Sequence, residues 1–249
     1  MSRPTLSKIA DFLLFLWEKR HLSPSAIKGY HSMLSSVFRF KLPDLSSSPV
    51  IKDLLRSFEI SRPRGGVVPP SWDLDKVLGF LRGPPFEPLS EASLRDLSKK
   101  TLFLVALATA KRISELQALS SRVVKSGDGL ILSFLPEFLA KTESSSNPLP
   151  RFFTLKSLDD FVGDLPDERL LCSVRALEEY LNRTKSLRFR PRSLFVSPRS
   201  PSRSLSKNAL SYFIRETISS AGALDGDEGR LPRAHNVRAV STFIAFMRN

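Results

Sequence analysis

The side chains that most often carry chemistry are scarce here: 1 cysteine, 3 histidines and 3 tyrosines in 249 residues. A single cysteine, Cys172, excludes a disulfide framework and fits a reducing, intracellular compartment. With only His21, His31 and His235 beside it, there is no zinc-ligand cluster, so no metal is expected. Long hydrophobic runs are also missing. None reaches the ~18 apolar residues of a membrane helix, and the longest candidate, Leu102 to Ala110, ends on Lys111 and Arg112. Asp11 interrupts the apolar Ile9 to Trp17 stretch and no small-residue cleavage site follows, which excludes a signal peptide. Acidic residues are in deficit, with 25 Asp and Glu against 38 Lys and Arg, a net charge of +13. The pI of about 10.2 is the electrostatic footprint of a nucleic-acid binder, or else of a merely soluble basic protein.

What is present is ordinary globular material. Hydrophobic residues make up 41% and charged residues 25%, which excludes a disordered chain, a collagen and a coiled coil. The length suits one large domain or two modest ones. The segment from Ser61 to Pro70 joins proline, glycine and two arginines, and these block both helix and ladder. It sets a front domain over 1–62, a linker over 63–72 and a back domain over 73–249. The front part is the more basic: residues 1–66 hold 11 Lys and Arg against 5 Asp and Glu, and the rest hold 27 against 20.

The front domain reads as all-helical. Ile9, Phe12, Leu13 and Leu16 share one face of a helix over Leu6 to Lys19. Ser23-Pro24 and Ser48-Pro49 are helix starts, a hydroxyl cap followed by proline at the first position. Ile27, Tyr30, Leu34 and Val37 form the second apolar stripe, and Ile51, Leu54, Leu55 and Phe58 the third. The back domain is mainly α. Helices are expected from Asp73 to Leu81, Leu94 to Ala108, Cys172 to Arg183, Lys207 to Ser220 and Ala234 to Met247. Lys111 to Leu119 is a further helix or the end of the one before it. Gly129 to Phe134 and Arg151 to Leu155 are β-prone, giving a small antiparallel sheet with a serine-rich connection. A basic stretch over 183–207 contains no acidic residue. It is either a solvated loop or a phosphate-contacting segment. Candidate nucleic-acid-contacting cations are Lys28, Arg39, Lys41, Arg62, Arg64, Arg188, Arg190 and Arg192.

Three strings could carry chemistry. In Ala110-Lys111-Arg112-Ile113-Ser114-Glu115-Leu116, small residues let the Arg112 guanidinium turn inward, and Glu115 at i+3 can hold it. The alternative is an ordinary surface ion pair. In Ala234-His235-Asn236-Val237-Arg238, an imidazole and a guanidinium at i, i+3 could grip one phosphate. The alternative is a capping or surface histidine at a helix start. Lys141, between the two strands, is either a solvated hairpin lysine or a proton donor to a leaving oxygen.

Taken in order, these strings resemble the tyrosine recombinase (phage integrase) family. The Arg112 string is similar to its first catalytic arginine motif, Lys141 stands where the family keeps a hairpin lysine, and His235 with Arg238 matches its HxxR motif. Leu22-Ser23-Pro24-Ser25-Ala26-Ile27-Lys28-Gly29-Tyr30 resembles its SAM-like core-binding domain. The strings Leu171 to Leu177 and Ala234 to Thr242 look most like the recombinases of DIRS-type retrotransposons. The resemblance implies a helical SAM-like bundle followed by a mostly α catalytic domain with a small antiparallel sheet. It implies double-stranded DNA as partner, self-association on DNA, a nuclear location and no cofactor. Arg112, Arg238 and His235 would stabilise charge on a scissile phosphate, and Lys141 would protonate the leaving 5′ oxygen. Glu115 would orient Arg112.

The family's nucleophilic tyrosine lies beyond HxxR. Here no tyrosine follows Tyr212, and Asn249 stands 11 residues past Arg238. The expectation is a catalytic domain incomplete at its C-terminus, with no nucleophile, in a polypeptide that does not cleave DNA. Three readings result: a recombinase-like protein lacking its nucleophile; a DNA clamp without chemistry, or an element remnant; and a helical scaffold for protein partners. The charge favours the first two, with both domains closing on a duplex and affinity falling steeply with salt.

Overall fold

The computed structural model describes residues 5–63, 72–127, 129–141, 143, 148, 150–158, 166–189, 192–222 and 234–247. The chain divides into two compact units, Met1–Val68 and Pro69–Asn249.

The smaller unit is three helices, α1 (Leu6–Glu18), α2 (Pro24–Val37) and α3 (Pro49–Ser61), with a 3-10 turn at Pro43–Leu45. Ser23 Oγ accepts from Ala26 N at 3.3 Å, closing the N-terminus of α2. The core is Ile9, Leu13 and Leu16 of α1, Ile27 of α2, Leu45, and Ile51, Leu55 and Phe58 of α3. Trp17 stacks on Phe58 at 4.6 Å between centroids. The second apolar stripe is only half used. Ile27 is buried and Leu34 packs on the core, whereas Tyr30 and Val37 are exposed. At about 100° per residue, Tyr30 and Val37 lie roughly 60° around the helix from Ile27 and Leu34, and Tyr30 meets α1 only at its margin, edge-on to Phe12 at 6.2 Å between centroids.

The larger unit contains α4 (Leu74–Leu81), α5 (Leu94–Thr109), α6 (Ile113–Gln117), β1 (Val124–Ser126), β2 (Gly129–Ser133) and β3 (Phe152–Lys156). It continues with α7 (Pro166–Arg169), α8 (Ser173–Lys185), β4 (Val196–Ser197), β5 (Ser200–Ser204), α9 (Lys207–Ser220) and α10 (His235–Met247). The centre is α5, which packs against α8, α9 and α10. Leu102, Phe103, Leu104 and Val105 are all buried in succession, as a helix covered on every side requires. Strands β1, β2 and β3 form one antiparallel sheet in that order, and β4 pairs with β5. Gly129 pairs with Lys156, and a Cβ at Gly129 would stand 2.6 Å from the Leu155 carbonyl oxygen, so this position on the central strand admits only glycine. No helix among the described residues is long and apolar enough to cross a membrane.

Of the two readings of Lys111 to Leu119, the separate helix holds: α5 stops at Ala110, whose φ of 49° is left-handed, and α6 starts afresh. The basic stretch after α8 is not a free loop: it carries β4 and β5, and Arg188 and Arg192 are bonded to the fold.

Candidate functional site

The break after α5 places Arg112. Ala110 N donates to Ala106 O at 3.0 Å and the backbone then turns left-handed, a conformation that costs a non-glycine residue about 1 kcal/mol. The chain re-enters a helix with Arg112 as the extended N-cap of α6. Glu115 reaches back so that its Oε2 accepts Arg112 N at 2.5 Å, while its Oε1 lies 3.7 Å from Arg112 Nη1. The Glu115 side chain is 11% exposed and that of Arg112 is 38%. The carboxylate therefore anchors the arginine from beneath and leaves an open guanidinium face. The expected i, i+3 pair is present, at a helix start rather than on a helix surface.

Two cavities meet at this residue. One, of about 320 Å³, is lined by Lys111, Arg112, Ser114, Ile214, Val237 and Arg238 among others. Arg112 and Arg238, far apart in sequence, thus face one space. Helix α10 delivers Arg238: Val237 is buried in the core, and Ser241 Oγ donates to Leu107 O at 2.5 Å, tying α10 to the end of α5. His235 opens α10, and only its backbone is described. The second cavity, of about 340 Å³, is lined by Lys111, Arg112, Phe134, Phe138, Phe153 and Arg151, with Glu115, Ala140 and Glu143. Lys111 belongs to both, its Nζ standing 4.5 Å from the Phe153 ring centroid and 5.4 Å from that of Phe134. Three cations, Lys111, Arg112 and Arg238, line the first cavity with no carboxylate among its described lining residues, while Glu115 holds Arg112 from the side of the second. This excess of positive charge suits a bound anion.

Lys141 is on the connection between β2 and β3 and is exposed. Its neighbour Ala140 lines the second cavity, while Lys141 lines neither. The structure brings Arg112, Glu115 and Arg238 together and leaves Lys141 outside that group. Sequence reasoning missed Lys111, whose signal was its place beside Arg112 at the end of an apolar helix.

The candidate DNA contacts fare unequally. Lys28 pairs with Glu59 at 2.7 Å on an open surface. Arg39 and Lys41 are exposed, with no ion pair among the described residues. The Arg62 guanidinium lies 3.9 Å over Trp17, and its Nη1 donates to His21 O at 3.5 Å. Arg192 pairs with Glu137 at 2.6 Å. Arg64 and Arg190 lie outside the described residues. Arg188 is corrected. Its Nε donates to Thr184 Oγ1 at 3.0 Å, and its two terminal nitrogens donate to Ser193 O at 2.8 Å and Leu194 O at 2.6 Å. Burial pulls its pKa down from the usual arginine value, so this guanidinium belongs to the interior.

A second charged cluster was invisible in the sequence. Lys100 is buried on α5, and its Nζ donates to Leu81 O at 2.7 Å and to Glu87 Oε1 at 2.5 Å. Arg175 on α8 grips the same carboxylate with two bonds of 2.7 and 2.9 Å. Burial raises the Glu87 carboxyl, but bonds from Arg175 and Lys100 outweigh it and hold the group below its ordinary 4.5. No group of three or more metal-ligating side chains stands among the described residues.

No family model matches the chain, and no curated protein matches it. Solved structures do. A lambda integrase (75–356) dimer bound to a COC′ core site is 18% identical, with a TM-score of 0.51 over 100% of this chain and 76% of that one. Lambda integrase (residues 75–356) bound to DNA is 16% identical, with a TM-score of 0.51 over 99% and 73%. A lambda integrase tetramer bound to a Holliday junction is 18% identical, with a TM-score of 0.50 over 98% and 58%. The mainly α architecture with small antiparallel sheets is therefore the integrase catalytic-domain fold.

Proposed function

We propose that this chain is a tyrosine-recombinase-like protein that binds double-stranded DNA and holds one backbone phosphate between Arg112 and Arg238. The observation that carries this reading is the convergence of those two arginines on a single cavity, one from the start of α6 and one from α10. Two guanidiniums set at an angle can bind the two non-bridging oxygens of a phosphodiester and polarise the phosphorus between them. Glu115 is a positioning residue: tied to Arg112 N, it fixes where the guanidinium projects. Lys111 adds a third positive charge at the rim. By resemblance, His235 at the start of α10 joins the phosphate site and Lys141 is the proton donor to a leaving 5′ oxygen. DIRS-type retrotransposon recombinases are the subfamily whose strings the 171–177 and 234–242 segments resemble, and that subfamily carries the proposal of a nuclear location and of self-association on DNA.

Strand cleavage in this family needs a tyrosine at the phosphate. Tyr180 is buried, and its hydroxyl accepts Val196 N at 2.9 Å; desolvation raises its pKa, which makes it a core residue. Tyr212 lines a different cavity, and Tyr30 rests edge-on against Phe12 of α1. On this ground the reading is phosphate binding by these residues without a nucleophile among Tyr30, Tyr180 and Tyr212. A second reading, a DNA-binding module with idle recombinase residues, rests on the same placement.

The test is fluorescence anisotropy with a labelled duplex across a salt series, run beside a nicked suicide duplex that traps covalent intermediates. Arg238→Ala is expected to weaken duplex binding roughly 10-fold or more and to lower the log–log salt slope by about one. No phosphotyrosyl adduct is expected at Tyr30, Tyr180 or Tyr212. An adduct mapped to any of them would overturn the nucleophile statement, and a salt-independent affinity would overturn DNA binding.

A further inference from the structure

The second cavity beside Arg112 has a composition that the phosphate reading does not use. Phe134 and Phe138 have ring centroids 5.3 Å apart, and Phe134 and Phe153 are 5.8 Å apart. Phe134 and Phe153 pack on the core of the larger unit, so two walls of this aromatic box are built into the sheet region. Phe138 closes it from the chain leaving β2. That chain is held in place, since Arg151 Nη1 donates to Phe138 O at 2.6 Å and Ala140 N donates to Glu143 Oε2 at 3.1 Å. Arg151 and Glu143 also pair at 3.0 Å. The rim is cationic where it meets the phosphate cavity, through Lys111 and Arg112.

We infer that this box takes an unpaired nucleobase of the DNA whose backbone phosphate lies on Arg112. The inference rests on the phosphate reading above. A nucleotide presents a flat π-face next to an anionic group, and the box, which Glu115 and Glu143 also line, presents aromatic rings next to Lys111 and Arg112. An apolar peptide segment would match the rings and leave Lys111 and Arg112 unanswered. A volume of about 340 Å³ lies at the lower end of small-ligand sites, which suits one planar ring system. A base inside a duplex has both faces stacked and cannot enter, so the occupant is extrahelical. The energy of extrusion is least for a base that is already unpaired, so the favoured substrate is bulged, gapped or branched DNA rather than plain duplex.

The experiment compares three labelled DNAs of one length: a fully paired duplex, the same duplex with a single unpaired 2-aminopurine, and one with an abasic residue at that place. The full-length chain is expected to bind the 2-aminopurine bulge about 10-fold more tightly than the paired duplex, within the range of one base stacking on aromatic side chains. The 2-aminopurine emission is expected to fall on binding as the base stacks. Neither effect is expected from the abasic DNA. Phe138→Ala is expected to bring the bulged-to-paired ratio to about one, and Phe138→Trp to preserve it; a thermal melt checks that both variants fold. A wild-type ratio of one, a ratio matched by the abasic DNA, or a ratio that survives Phe138→Ala overturns the inference. Arg112→Ala separates the two ideas: it is expected to weaken binding to all three DNAs. If it changes none of them, the phosphate reading itself fails; if it weakens all while the ratio is one, only the base pocket fails.

Discussion

The larger unit holds two clusters of cations that answer opposite questions. Around Glu87, Lys100 and Arg175 share one carboxylate, and every strong donor has a partner within the fold. Around Glu115, one carboxylate is held by a backbone N–H and leaves Lys111, Arg112 and Arg238 facing cavities. The residue types are the same and the count of positive groups is similar. What differs is whether the described residues supply the counter-charge. A balanced cluster stabilises the fold, and on the proposed reading the unbalanced one takes an anion. The lesson extends to single arginines: Arg188 and Arg183 have their guanidiniums filled by backbone carbonyls, while the Arg112 guanidinium is only loosely matched.

Breaking the balanced cluster is expected to have the largest effect. Glu87→Ala leaves Lys100 buried with only the Leu81 carbonyl, and should destabilise the protein by about 3–5 kcal/mol in a denaturant melt. Arg188→Ala comes next. It strands the Ser193 and Leu194 carbonyls and should cost about 1–3 kcal/mol while leaving the salt dependence of DNA binding unchanged. A lowered salt slope in Arg188→Ala would return that residue to the DNA contacts. Acid should weaken the fold through Glu87. Its folded pKa lies below 4.5, so its stabilisation is complete above that value and is lost as pH falls through the lower folded one. Melts of wild type and Glu87→Gln should converge over that window, and parallel curves would show that other carboxylates govern acid unfolding. The smallest stability effect is expected at the unbalanced cluster: Arg112→Ala should change stability by about 0.5 kcal/mol or less, because the Glu115 cap acts on the backbone and remains.

Much of the helical framework was legible because its signals are local. Ser23-Pro24 starts α2, and the Lys207 to Ser220 pattern is α9 residue for residue. Elements without a local pattern of their own were not legible. Strand β5, Ser-Pro-Ser-Arg-Ser, has no alternation to read and exists because β4 pairs with it. The break at Ala110 carries no glycine to announce a left-handed residue. Tyr30 and Val37 look like core by spacing, yet no further described element of the smaller unit covers them. At the site, the Arg112–Glu115 pair could be read from i, i+3 spacing. The meeting of Arg112 with Arg238 could be anticipated only from family resemblance, since no local rule links α6 to α10. The Glu87 cluster offered no signal at all, because its three members lie on a turn, on α5 and on α8.

The central claim is that Arg112 and Arg238 hold one and the same phosphate. A double-mutant cycle on DNA affinity tests it most directly, using Arg112→Ala, Arg238→Ala and the double variant at fixed salt. Two groups sharing one ligand should couple, and the cycle is expected to return an interaction energy of about 1 kcal/mol or more. Losses that add to within about 0.5 kcal/mol would mean that the two arginines act on separate parts of the DNA, and would contradict the account.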